Sequence, residues 1–229
     1  MSQFTAQSIM IFSELKNSLI TFWSILTGFI LFFFLLVIFL DIPTMFVLTT
    51  PPMYVFIAIF CYRLMSAGDF SHSIHLGVTR KAFVLMITLF TILLSLSFAL
   101  LNQLYIFIMN FIQPFVIENE VTFFMWSTIL STGNEFMINI LADSLIMSTL
   151  GMLLFLLASL SFRFGQWAML SPLAIVVLLL FIPAIHTPII DWIIALPGST
   201  QYVAELFTLL LITLTLGVLS YFTLSKASV

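Results

Sequence analysis

Residues 22–40 read FWSILTGFILFFFLLVIFL and carry no charged side chain. Fifteen of them are Leu, Ile, Phe or Val, and each such residue favours membrane insertion by about 0.3 to 0.6 kcal/mol at the centre of a helix. Insertion of this stretch is therefore favoured by about 5 to 9 kcal/mol as an upper bound. The stretch predicts a membrane-spanning helix.

The composition extends this prediction to the whole chain. Of its 229 residues 62% are hydrophobic and 7% are charged, whereas soluble domains carry roughly 25% charged residues. A span needs about 20 apolar residues, which leaves room for about six spans with short connections. Cys61 is the only cysteine, which excludes an intrachain disulfide. The expected fold is all-α: one polytopic membrane domain over residues 1–229, with the first span kept as a signal anchor.

Hydropathy divides the chain into six segments. The predicted spans are residues 18–40, 44–62, 82–109, 136–162, 167–185 and 202–224. Residues 1–17 are expected to form an amphipathic interfacial helix, and residues 187–198 a short re-entrant helix in the outer leaflet. Pro51 and Pro52 are expected to kink or interrupt the second span, and Pro114 to end the third.

The cationic side chains give the orientation. With this segmentation all of them fall on one side of the membrane: Lys16, Arg63, Arg80, Lys81, Arg163 and Lys226. Because cytoplasmic loops retain Lys and Arg, both termini are predicted to be cytoplasmic. A span at 121–132 would move Arg163 and Lys226 outside, so this apolar segment is predicted to be an outer interfacial or re-entrant segment.

Most acidic residues fall on or near the outer side: Asp41, Glu118, Glu120, Glu135, Asp143, Asp191 and Glu205. They either attract a cationic substrate or are simply solvated. Asp143 lies one to two turns inside a predicted span, where a charge costs roughly 2.5 to 3.5 kcal/mol. It is a candidate intramembrane polar residue on the translocation path. A boundary shifted by one turn would instead place it in the solvated outer region.

The most informative segment is the cytosolic loop 67–83, which reads AGDFSHSIHLGVTRKAF. Asp69 is a good N-cap and Gly77 a good C-terminal stop, so a two-turn helix is predicted between them. Thr79 is then placed to cap the third span, with Arg80 and Lys81 anchoring it at the inner interface.

This short helix is expected to have two surfaces. Phe70, Ile74 and Gly77 fall along one side, while His72, Ser73 and Leu76 remain available for another surface. A mere connector needs neither a capped helix nor exposed Phe and Leu side chains. The pattern therefore favours a docking element.

Motifs of catalysis are absent from the sequence. It contains no GxxxxGK[ST] phosphate loop, no HExxH metal motif and no GxSxG serine elbow, so no enzymatic activity and no cofactor of its own are expected. The predicted topology separates His186 from His72 and His75, which disfavours a haem site within the bundle. His72 and His75 have no further His or Cys nearby, and no metal site is predicted.

The run HLGVTRKAF at 75–83 resembles the LGxSR stretch that follows the second span in membrane subunits of type 2 ABC transporters, particularly the small Gram-positive type. Thr79 stands where Ser is common. The predicted N-terminal helix, six spans and short outer helices also resemble that family. In it, the short helix before the glycine docks in a cleft of a separate ATPase.

The resemblance implies an export complex in a bacterial plasma membrane, with two membrane subunits, identical or homologous, and two copies of an ATPase that holds ATP and Mg. No nucleic acid partner is implied. The apolar spans favour an amphipathic or hydrophobic substrate, such as a peptide, an antimicrobial or a lipid. The residues assigned to ATPase coupling are Asp69, Phe70, His72, Ser73, His75, Leu76, Gly77, Arg80 and Lys81.

Two other classes stay open. A stand-alone secondary transporter or channel would use intramembrane ionisable residues or paired broken helices. Asp143 and the prolines at 51–52 are the only candidates, and they have no matching pair in the other half of the chain. The third class is a membrane chaperone or sensor subunit.

Overall fold

The computed structural model describes residues 3–66, 69–116, 120–130, 135–165 and 202–227, with scattered positions between 167 and 191. The predicted span 167–185 and the outer helix 187–198 lie for the most part outside these residues. The elements are α1 Gln3–Leu40, β1 Thr44–Val47, α2 Thr50–Ser66, α3 Asp69–His75, α4 Arg80–Val116, β2 Glu120–Phe123, α5 Trp126–Leu130, α6 Glu135–Phe164 and α7 Tyr202–Ser225.

Four helices in the described part of the chain are long and apolar enough to cross a membrane. They contain the segments Leu15–Leu40, Arg80–Val116, Glu135–Phe164 and Leu206–Ser225. A fifth apolar segment, Thr50–Met65, is shorter. The fold is thus a helical one with several helices of membrane-spanning length.

The N-terminal helix is not separate from the first span. α1 runs without a break over 38 residues, from Gln3 to Leu40. The segment 13–18 joins the two predicted pieces and contains neither Gly nor Pro, so nothing in it ends a helix. α1 ends where Asp41 adopts a positive φ of 50°, a conformation that often follows the last residue of a helix.

The second predicted span, 44–62, is wrong at its start. Thr44–Val47 forms β1 and pairs in parallel with β2, Thr44 opposite Glu120 and Val47 opposite Phe123. α2 begins only at Thr50, so the prolines at 51–52 lie in its first turn. There the missing N–H groups leave no hydrogen bond unmade, and the helix begins at the prolines instead of running through them.

Pro114 does not end α4 directly. The helix spans 37 residues, with Pro114 inside it, and ends at Val116. A helix of that length is about 55 Å long and exceeds the roughly 30 Å hydrocarbon layer. Residues 120–130 form β2 and the five-residue helix α5, so this part of the 121–132 segment contains no spanning helix.

α6 lies at the centre of the bundle and packs against α2, α4 and α7. Gly151 allows the close approach, since a Cβ atom there would lie 2.9 Å from Thr91 Cγ2 and 3.1 Å from Cys61 Sγ. On the side facing α7, the hydroxyl oxygens of Thr149 and Thr213 are 2.9 Å apart and hydrogen bonded. Small and hydroxyl-bearing residues at such contacts are typical of helices packed in membranes.

Candidate functional site

Two arginines join the ends of three helices. Arg80, the first residue of α4, donates through Nη1 to the carbonyl oxygens of Leu224 at 3.1 Å and Ser225 at 2.6 Å. Arg163, in the last turn of α6, donates through Nη1 to the carbonyl oxygen of Thr223 at 3.3 Å. The final carbonyls of α7 lack intrahelical partners and carry partial negative charge, so both contacts stabilise this terminus.

The other cations lie at the same end of the bundle. Arg63 is in the last turn of α2, Lys81 follows Arg80, and Lys226 follows α7. In α1, Ser18 borders the same small cavity as Arg63, which places neighbouring Lys16 in this region. We call this the cationic end of the bundle.

α3 lies at the cationic end, and its C-terminus has the predicted glycine stop. Gly77 has a φ of +85°. Its N–H donates to Ile74 O at 2.9 Å, and the N–H of Val78 donates to Ser73 O at 3.0 Å. This pair of bonds is a Schellman motif. The next residue, Thr79, accepts a hydrogen bond from the N–H of Ala82 at 3.2 Å and caps α4.

Two residues of α3 that were predicted to be available to a partner, Phe70 and Ser73, are buried. Phe70 is fully buried and packs edge-on against Phe83 of α4 and Phe162 of α6, with ring centroids 5.1 and 5.3 Å away. Ser73 is also buried, at 2% exposure. Residues three apart share a helix face, so Ser73 follows Phe70 into the bundle. Neither side chain is available to a partner, and both attach α3 to the long helices.

The exposed face of α3 consists of His72, His75 and, just past the helix end, Leu76. Leu76 is 61% exposed. Asp69 is the first residue of α3, but its side chain, predicted to be the N-cap, is not among the described ones. Of the nine residues assigned to coupling, therefore, His72, His75, Leu76 and Gly77 form the surface beside exposed Lys81.

A second candidate site surrounds Asp143, which is only 1% exposed. Tyr54 of α2 donates its O–H to Asp143 Oδ1 at 2.5 Å, and Trp126 of α5 donates Nε1–H to the same oxygen at 3.0 Å. The indole also lies 3.0 Å from the tyrosine oxygen. Asp143 is thus held inside the protein and is not part of a solvated helix end.

Two asparagines extend this polar cluster. Asn139 lies one turn before Asp143, and its Oδ1 accepts from the N–H of Ser127 at 2.9 Å. Asn102 of α4 is fully buried and faces Asp143, yet its amide makes no hydrogen bond of normal geometry to any residue that the structure describes. The sequence analysis predicted only Asp143 and missed Tyr54, Asn102, Trp126 and Asn139. The four-residue spacing from Asn139 to Asp143 was the available signal, because it places both on one helix face.

This cluster connects α2, α5 and α6 through one carboxylate. Hydrogen bonds to an ionised group are about twice as strong as neutral ones, so the arrangement can fix α5 against the bundle or hold a cationic group. In the described part of the chain, no three His, Cys, Asp or Glu side chains lie together as a metal-binding group.

The fold and these sites define a class: a helical protein with apolar helices of membrane-spanning length and a cationic end. No protein-family model, curated protein or solved structure matches the chain.

Proposed function

We propose that this chain is the membrane subunit of an ATP-driven exporter of the type 2 ABC class, and that α3 docks on a separate ATPase. The observation that carries the proposal is the two-sided character of α3. Phe70 anchors one side in the bundle, while Leu76 and the two histidines are presented outward at the cationic end. The LGxSR-like sequence that follows α3 points to the same function.

The connection from α3 to the long helices is short and rigid enough to transmit a displacement of α3 to them. The Schellman motif and the Thr79 cap leave only a two-residue link, 78–79, between the turn and α4. Arg80 follows at once and contacts the end of α7. A displacement of α3 by a partner would therefore reach α4 directly, α7 through Arg80, and α6 through Phe162. Such coupling biases a two-state bundle from a distant site.

The exporter would contain two membrane subunits, identical or homologous, and two ATPase subunits that bind ATP and Mg. Its substrate would be amphipathic or hydrophobic, because the long helices are strongly apolar. Both termini of this chain would be in the cytoplasm of a bacterial cell, next to the ATPase.

The test is co-purification from native cells in mild detergent. A tagged wild-type chain is expected to retain an ATP-hydrolysing subunit, identified by mass spectrometry. Leu76→Asp is expected to reduce its recovery at least tenfold, because a charge then enters an apolar contact. Membrane insertion should remain normal, since the Leu76 side chain is mostly exposed.

The matched control is Lys226→Asp, which changes the charge at the same end of the bundle but outside α3. It should retain the ATPase. Wild-type recovery with Leu76→Asp, or equal losses in the two variants, would overturn the assignment of α3.

Asp143 favours a second candidate, a cation-coupled transporter, because an ionisable side chain within a span commonly marks a transport path. The two candidates differ in their energy source. Depletion of ATP should stop transport by the exporter, whereas Asp143→Asn should stop only a cation-coupled transporter.

A further inference from the structure

α4 and α7 border a groove of about 360 Å³, within the roughly 300 to 1,000 Å³ typical of ligand sites. Its walls are apolar and include Leu85 and Leu89 of α4 and Val218 of α7. These three side chains are about half exposed. The groove therefore opens sideways, toward the surroundings of the bundle.

The length of the groove matches one half of a membrane. It begins at Lys81 and Tyr221 and extends to Ile92. Lys81 and Ile92 are eleven residues apart on one helix, which is about 16 Å. The hydrocarbon layer is about 30 Å thick, so the groove has the depth of one leaflet.

The two ends of the groove differ in chemistry. At the cationic end, the exposed ammonium of Lys81 and the half-buried phenol of Tyr221 border its mouth. Arg80 beside it is already bonded to the carbonyls of α7. Among the described residues, the deep end is lined by Ile92 and Leu214, which have no polar side-chain atoms. Water needs two to four polar partners to be held.

We propose that this groove binds one phospholipid with an anionic headgroup. An acyl chain fills the space between α4 and α7, and the phosphate lies against Lys81. Basic residues at the mouth of a groove between membrane helices are the usual recognition elements for such lipids. The inference is independent of the exporter proposal, because it concerns lipid binding by the bundle and not the energy source of transport.

The experiment uses the full chain in nanodiscs containing equal amounts of phosphatidylglycerol and phosphatidylcholine. After detergent extraction, native mass spectrometry counts the lipids that remain bound. The wild type is expected to retain phosphatidylglycerol in preference to phosphatidylcholine by about fivefold, since one Lys near a lipid surface contributes about that factor. Lys81→Ala should remove this preference, and Leu89→Trp should remove the bound lipid of either kind by filling the groove.

Lys226→Ala is the matched control, because Lys226 is an exposed cation at the same end but does not line the groove. It should leave the preference unchanged. Equal effects of Lys226→Ala and Lys81→Ala would show general surface attraction and overturn the proposal. It would equally be overturned if Leu89→Trp left the lipid count unchanged but dissociated an oligomer in light scattering, since the groove would then be an interface between copies.

Discussion

At the scale of single residues, the polar side chains of this bundle differ in where their hydrogen-bond partners lie: within the same helix or on another element. Several buried hydroxyls donate within their own helix: Thr91, for example, donates to Ile87 O at 2.8 Å. Such bonds to the preceding turn are available to Ser and Thr in any helix. A carboxylate has no proton to donate in this way. Asp143 therefore depends on Tyr54 and Trp126, which come from other elements.

Replacing Asp143 tests this dependence. Asp143→Leu leaves the Tyr54 hydroxyl without its acceptor and should lower the free energy of unfolding by about 1 to 3 kcal/mol. Asp143→Asn retains a carbonyl oxygen and should lose less. Thermal unfolding in detergent measures both. Glu135→Gln, at the exposed start of the same helix, is the control and should change little; equal stability of all three variants would contradict the role of Asp143.

At the scale of elements, helix ends follow from short local sequences. Gly77 stops α3 through its left-handed conformation, and the hydroxyl of Thr79 caps the start of α4; both signals act within a few positions. The end of α7 is different. Its last carbonyl oxygens accept hydrogen bonds from Arg80, 144 residues before Leu224, and from Arg163, 60 residues before Thr223.

Two glycines allow the effect of backbone conformation on stability to be measured apart from the effect of packing. A Cβ atom added at either Gly77 or Gly28 meets nothing within 4 Å, but only Gly77 has a positive φ. Gly77→Ala should therefore destabilise the chain by about 1 to 2 kcal/mol. Gly28→Ala, within α1, should be neutral or stabilise it by up to about 1 kcal/mol. Melting temperatures of the two variants in the same detergent check this, and a lower value for Gly28→Ala than for Gly77→Ala would refute it.

At the scale of the whole molecule, α6 holds the bundle together because α2, α4 and α7 all pack against it. One close approach is at Gly151, where Thr91 of α4 and Cys61 of α2 converge and are themselves 3.3 Å apart through Oγ1 and Sγ. On the other side, α7 approaches α4 at Gly217, whose added Cβ would lie 3.0 Å from Thr88 Oγ1. Both sites use the absence of a side chain to bring helices together.

A methyl group at Gly151 tests this packing. Gly151→Ala should destabilise the bundle by about 1 to 3 kcal/mol, because the contacts have no space for it. Adding Thr91→Ser removes the methyl that lies 2.9 Å away and should recover part of the loss. A double-mutant cycle of thermal unfolding measures the coupling. Additive effects would show that the two residues do not share this contact.

The sequence by itself determined the helical, apolar class of the fold, the gathering of cations at one end, the Gly77 stop after α3 and the Thr79 cap of α4. These follow from composition and from interactions that span a few residues. It placed the helices at 82–109 and 136–162 close to α4 and α6, but missed the extension of α4 beyond Pro114. Helix ends depend on caps and tertiary contacts outside the apolar run, so hydropathy locates a span better than its limits.

Only the tertiary structure decided which side chains are available. Phe70 and Leu76 are both apolar residues of one short segment, yet one is buried and the other exposed, because α4 and α6 cover one side of α3. The parallel pairing of β1 with β2 joins residues 76 positions apart, and the burial of Asp143 depends on Tyr54, 89 positions away. Such contacts depend on how distant segments meet, which periodicity along one segment does not encode.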